Sequence, residues 1–425
     1  MSASRPAGLC ARTVPIPDPG PLDAYLGEPG GMAWLRRGDG FVTRGEVCRF
    51  TTKDDPSAAQ AWWQQFCATL DVANELPDAT GTGPLLFGSM VFDPGHTSSQ
   101  SVFVVPRAII GRRNGQSWLT RIDTPANTQR MGPPRRAARP LTGTPPAGGV
   151  KSPASLDADA WQTAVASALA SLDDTFTKVV LARAVDVRAP EPISPWRLVR
   201  ELAAKYPTCW TFHLDGLVGA SPEMLVRRDH GLAMSRVLAG TIRRAGELDH
   251  ILAQTLTESS KNLVEHELAV ASVASTLARY CVAMNVPDAP SVLQLPNVLH
   301  LASEVTGIVR NGASALELAI ALHPTAAVCG TPTDLARTTI ASLEHFDRGR
   351  FAGPVGWQDA AGDGEFAIAL RCGQIDPADH HAIRLYAGCG IVDGSDPAEE
   401  YEETRAKLVP MLDALGLSQP TPRAT

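Results

Sequence analysis

Apolar, β-branched runs follow one another across glycine turns in this chain, and they do not alternate one for one with helices. GLVGASPEMLVRRDHGLAMSRVLAGTIR (216–243) reads as strands placed back to back, and so do FAGPVGWQD, EFAIALRCG and HAIRLYAGCGIV (351–392). Long helical stretches separate the two sets, SKNLVEHELAVASVASTLARYC (260–281) and DPAEEYEETRAKLVPMLDALG (396–416). Hairpin-like strands mixed with long helices predict an α+β protein whose large, mostly antiparallel β-sheets pack together and are flanked by helices.

The earlier part is more broken. MAWLRR, SVFVVPRAII and SWLTRI read as strands, and PSAAQAWWQQFCATLDVANEL (56–76) reads as a helix. Residues 1–21 are rich in Pro and Gly and read as an unstructured lead-in. RMGPPRRAAR (130–139) and the PLTGTPPAGG after it read as an exposed loop within 125–150. Residues 1–150 are thus expected to form the N-terminal part of the fold. Residues 151–425 are expected to form a catalytic region within one integrated domain.

Composition excludes several classes. With 425 residues, 44% hydrophobic and 20% charged, the chain is that of an ordinary globular protein. A net charge of −7 argues against nucleic acid as a partner. No apolar run is long enough for a membrane span, and the N-terminus lacks a secretory pattern. None of the eight cysteines falls in a Cys-x-x-Cys pair, as expected of reduced thiols in the cytoplasm.

Several residues carry chemistry. Lys178 enters the apolar run Val179-Val180-Leu181 of FTKVVLAR, and burial lowers an amine's pKa toward neutrality, so the lysine can be neutral and act as a base. Glu223, among Pro222, Met224 and Leu225, is expected to hold its proton and serve as an acid. Glu400, Glu403 and Lys407 share one helix face. Lys261 and Glu265 sit four apart on another helix, the spacing of a surface ion pair. Carboxylates from two helices suit a hard cation such as Mg²⁺. Arg371 lies in an apolar strand and needs an anion. Gly388-Cys389-Gly390 offers backbone N–H groups to a ligand, and Gly240-Thr241 offers an amide and a hydroxyl. His300 and His323 each fit a satisfied core histidine.

Ten ordered motifs resemble the chorismate-utilising enzyme family, most closely its isochorismate synthase branch. They are FTKVVLAR, LVGASPEMLVRR, LAGTIRR, KNLVEHELAV, LPNVLHLASEVTG, LHPTAAVCGTP, FDRGRFAGPVGW, FAIALRCG, YAGCGIV and EEYEETRAKL. The resemblance implies chorismate as substrate, with Mg²⁺ on its ring carboxylate. Glu265 and Glu403 match the metal-binding glutamates, with Glu400 close by. Lys178 matches the base that activates water at C2, and Glu223 the acid that protonates the departing C4 hydroxyl. Arg371, the 388–390 backbone and Lys407 match groups that hold carboxylates. Gly240, Thr241, His300 and Ala327 match lining positions. The lysine at 178 implies water rather than ammonia as nucleophile, so no glutaminase partner, and the resemblance implies a monomer. Ala327 and Phe351 match the isochorismate branch, whereas Leu370 is more like the salicylate synthases, which also eliminate pyruvate. Asn262 stands where relatives commonly carry an acid. The product would feed menaquinone or catechol siderophore synthesis. Two other readings are a non-catalytic ligand-binding relative and a surface-interaction protein using the acidic C-terminal helix.

Overall fold

The computed structural model describes residues 8–27, 30–129 and 149–417. Residues 1–7 of the expected lead-in and the basic stretch 130–139 lie outside them. Strands of the described residues join into one hydrogen-bonded network that is almost wholly antiparallel, with helices packed on it. Among the described residues, the parallel exception pairs Cys10–Pro15 with Asp71–Asn74.

That exception corrects two expectations. Residues 10–15 are not a loose lead-in. They lie between Asp71–Asn74 and Gln116–Asp123 as a strand. The helix over 56–76 stops at Cys67, and Asp71–Asn74 turns back as a strand. Val72 and Asn74 fit a helix face as well as a strand. The backbone groups of residues 10–13 decide between them by pairing there. Two helices, Asp249–Glu258 and Thr333–Leu343, were not anticipated.

The N-terminal part shares its core with the rest. Phe87 pairs with Trp357 across adjacent strands, and Phe41 stacks edge-on to Trp357 with centroids 4.8 Å apart. Phe103 and Trp118 join Met224 and Phe366 in this core. A second core lies under the helix Pro195–Lys205 and the C-terminal helix Pro397–Ala414. It contains Leu198, Val199, Ala406 and Met411. Burying such side chains contributes about 1.5–3 kcal/mol each before entropy is counted.

Three pieces of this frame position the site. The strand Lys178–Arg188 pairs along its length with Ala382–Ile391. The strand Leu232–Arg243 pairs with Val298–Val309, and the helix Ser260–Leu277 packs on it. Ser259 caps that helix by accepting from Asn262 N, and Asp396 caps the C-terminal helix by accepting from Ala398 and Glu399 N.

Candidate active site

Both pairing schemes converge on one cavity of about 690 Å³, its open mouth included. Its wall carries Glu223, Gly240, Thr241, Glu265, His300, Ala327, Arg371, Gly388, Cys389, Gly390 and Lys407. Eleven predicted residues, scattered over 185 positions of sequence, thus meet at one place. Lys178, Glu400 and Glu403 stand behind this wall, each bound to or beside a residue that lines it.

Glu223 follows the strand Leu217–Ser221 and is 4% exposed. Burial pushes its pKa up to about 8, although the Leu238 amide and the charges of Lys178, Lys407 and Arg371 pull the other way. The carboxyl is therefore protonated at neutral pH and can donate a proton.

Lys178 is fully buried. Its Nζ lies 3.3 Å from Glu265 Oε1 and 3.4 Å from the Glu265 carbonyl oxygen. Gly390 makes room for this pair. A methyl group there would overlap Glu265 Oε1 and stand 3.0 Å from Lys178 Cε.

The i, i+4 pairing of Lys261 with Glu265 does not form. Lys261 turns to Glu400 at 2.6 Å, and Glu265 turns to Lys178. Lys407 bonds Glu403 at 2.6 Å and donates to the Gly388 carbonyl at 2.8 Å. Each of three carboxylates thus leans on a lysine. Like charges repel, and a nearby ammonium offsets this more cheaply than water does inside a protein. For that reason the three glutamates do not close to metal-ligand spacing. Among the described residues, three such atoms within 4.8 Å of one another occur instead at Asp229, His230 and Asp363. That trio lies outside the cavity wall, and Arg113, Arg227 and Arg228 neutralise it. The donor set of Glu265, Glu400 and Glu403 is still all carboxylate. Neighbouring His266 turns away to Ala239 O and Ser303 Oγ. Oxygen-only donors from two helices suit a hard cation that keeps part of its water.

Arg371 lies between the strands Gly364–Ile368 and Cys372–Ile375, so the run read as one strand is broken there. Its φ of 48° is left-handed, which costs a non-glycine residue about 1 kcal/mol. Nη2 donates to His300 Nε2 at 3.0 Å, and buried Nη1 has no hydrogen-bond partner among the described residues. Burial and the Arg371 charge hold His300 well below the usual imidazole range. The ring is neutral, and guanidinium has only donors, so Nε2 accepts and Nδ1–H donates to Thr241 Oγ1 at 3.0 Å. Thr241, His300 and Arg371 form a chain that ends on a free cationic donor.

The 388–390 backbone divides in two. Val180 N goes to Cys329 O and Ala182 N to Glu344, so both amides face away from the partner strand. Their cross-strand partners Gly390 and Gly388 must face away as well. The Cys389 amide is committed to Leu181, and its Sγ donates to Glu400 O. Gly388 and Gly390 keep the role of donors, and the Cys389 backbone loses it. His323 Nε2–H donates to Phe92 O at 2.9 Å, so it is a satisfied core histidine.

Sequence reasoning missed Arg348 and Tyr386, which also line the cavity. Arg348 pairs with Glu344 in the interior and donates to Val180 O at 2.8 Å and Val328 O at 3.0 Å. Two buried charges thereby do the work of a strand edge along the Lys178 strand. Arginines leading into the apolar, glycine-rich FAGPVGW (351–357) were the available signal.

The model of the chorismate binding enzyme family matches residues 36–416. Isochorismate synthase DhbC of Bacillus subtilis is 43% identical over 259 residues, spanning 58% of this chain and 64% of that protein. Isochorismate synthase EntC of Escherichia coli is 33% identical over 394 residues, 89% of this chain and 92% of the relative. The solved structure of MenF, the menaquinone-specific isochorismate synthase from Escherichia coli, superposes with a TM-score of 0.79 at 28% identity. It covers 97% of this chain and 96% of its own. The chain belongs to the chorismate-binding enzyme family.

Proposed function

We propose that the chain is an isochorismate synthase that converts chorismate to isochorismate with Mg²⁺. One observation carries the reading: a single cavity joins a protonated carboxylic acid, Glu223, to the free Nη1 of Arg371 and to Glu265 in contact with Lys178. Chorismate has two carboxylates and a hydroxyl leaving group, which suit the Arg371 guanidinium, a cation held at Glu265 and the Glu223 proton. Similarity to DhbC and EntC supports the same reaction.

Glu265, Glu403 and Glu400 would hold the Mg²⁺, which supplies charge neutralisation at the ring carboxylate. Arg371, steered by His300, binds a carboxylate, and the Gly388 and Gly390 amides support it. Lys178, acting as the neutral amine, takes a proton from water as its oxygen attacks C2. The ring double bonds shift, and the C4 hydroxyl leaves with the Glu223 proton. One water enters and one leaves, so the change is an isomerisation. Ala327 and Gly240 shape the wall. Lys407 neutralises Glu403 and fixes the Gly388 carbonyl.

No helix of the described residues is long and apolar enough to cross a membrane. The reading takes the protein as a cytoplasmic monomer, one integrated domain acting without a glutaminase subunit. Leu370 in the wall beside Arg371 favours salicylate plus pyruvate as a second reading. Chromatography of the product from chorismate and Mg²⁺ tests both. An isochorismate peak is expected, a salicylate peak would select the second reading, and unchanged chorismate would refute both.

A further inference from the structure

The Lys261 ammonium and Glu400 Oε1 lie 2.6 Å apart, and the two side chains are 28% and 3% exposed. Lys261 stands in the first turn of its helix, an end whose dipole disfavours a cation. Its surroundings explain why it stays. It is held by the nearly buried Glu400 carboxylate of the C-terminal helix, so the ion pair ties the two helices together. The other two lysines are engaged elsewhere, Lys178 on Glu265 and its carbonyl, Lys407 on Glu403 and the Gly388 carbonyl.

We propose that Lys261 is a built-in counter-ion, standing where a divalent cation binds and competing with it for Glu400. The proposal rests on reading Glu265, Glu400 and Glu403 as the metal site. Without a metal, Glu400 and Glu403 repel each other one helical turn apart, and Lys261 offsets this across the gap between the two helices. With a metal, the ammonium must leave Glu400 or face a dication. Either outcome weakens metal binding, by Coulomb repulsion or by loss of the ion pair. Lys261 is thus a positioning residue that trades metal affinity for an ordered, charge-balanced site before the metal arrives.

Calorimetric titration of Mg²⁺ into the full chain and into Lys261→Met, without chorismate and at one ionic strength, tests this. Methionine keeps the apolar stem and removes the charge. The variant is expected to bind Mg²⁺ about tenfold more tightly, the ratio that about 1.4 kcal/mol carries. In excess chelator its thermal midpoint should fall below that of the parent, and the gap should close as Mg²⁺ is added. Unchanged or weaker Mg²⁺ binding by a variant with unchanged circular dichroism would overturn the proposal alone. Absence of Mg²⁺ uptake by the parent chain would overturn the metal-site reading and this proposal with it. Lys261→Gln provides the same comparison if the methionine variant does not fold.

Discussion

Lys178 Nζ and Glu265 Oε1 face each other at 3.3 Å across the space left open by Gly390, which has no side chain to fill it. A strand residue and a helix residue 87 positions apart thus form the centre of the site through the absence of one methyl group.

Gly390→Ala follows directly from this. Its new methyl would overlap Glu265 Oε1 and crowd Lys178 Cε. A displacement of about 1 Å can cost on the order of 10²-fold in rate. Turnover is expected to fall by at least about that factor while circular dichroism stays unchanged. Wild-type turnover would refute the pair's role.

Glu223 should act as an acid. Glu223→Gln is expected to lower kcat by about 10²–10⁴-fold, the usual range for a general acid. The wild-type rate should fall as pH rises through about 8, where the carboxyl ionises. Stability carries the same signature. The folded pKa is raised above the ordinary 4.5, so the folded state holds the proton that the unfolded chain has lost. Stability from this group is fully present below about 4.5 and is lost as pH rises toward about 8. Urea titrations at pH 5 and pH 8 should give a smaller difference for the glutamine variant. Equal differences would contradict the assignment.

Arg371 is expected to bind substrate. Arg371→Met removes the free Nη1 donor and the charge, and a charged hydrogen bond is worth about 1.5–3 kcal/mol. KM for chorismate should rise roughly 10- to 100-fold, more than kcat falls. His300→Phe should raise KM in the same direction by less, because it only steers the guanidinium. Steady-state kinetics of both variants decide, and an unchanged KM for Arg371→Met would exclude the contact.

Metal removal offers a further check. Excess chelator should abolish turnover, and Mg²⁺ should restore it. Glu403→Gln should raise the Mg²⁺ concentration needed for half-maximal rate. Full activity in chelator would rule out the carboxylates as a required metal site.

Arg348→Met should be a stability variant. It leaves Glu344 in the interior without its counter-charge, a loss of about 3–5 kcal/mol. The Val180 and Val328 carbonyls lose their donor as well. Chemical denaturation measures this, and a change below about 1 kcal/mol would mean that the pair is dispensable.

Several features were legible in the residues alone. The β-branched run after Lys178 specified a buried strand, because such side chains favour a pleated, packed surface. The apolar neighbours of Glu223 specified its buried, protonated carboxyl, because burial disfavours the ionised form. Ten ordered motifs specified the family. Tertiary structure alone decided the partners. Local spacing offered Glu265 to Lys261, yet the fold assigned it to Lys178 and brought Lys261 to Glu400, 139 positions away. It made Asp71–Asn74 a strand by supplying residues 10–13 as its partner. It took the Cys389 amide for Leu181 and left its two glycine neighbours open. The physical reason is common to all three. Burial and propensity are properties of a side chain and its near neighbours. The direction of an ion pair or a backbone hydrogen bond depends on which distant group the folded chain delivers.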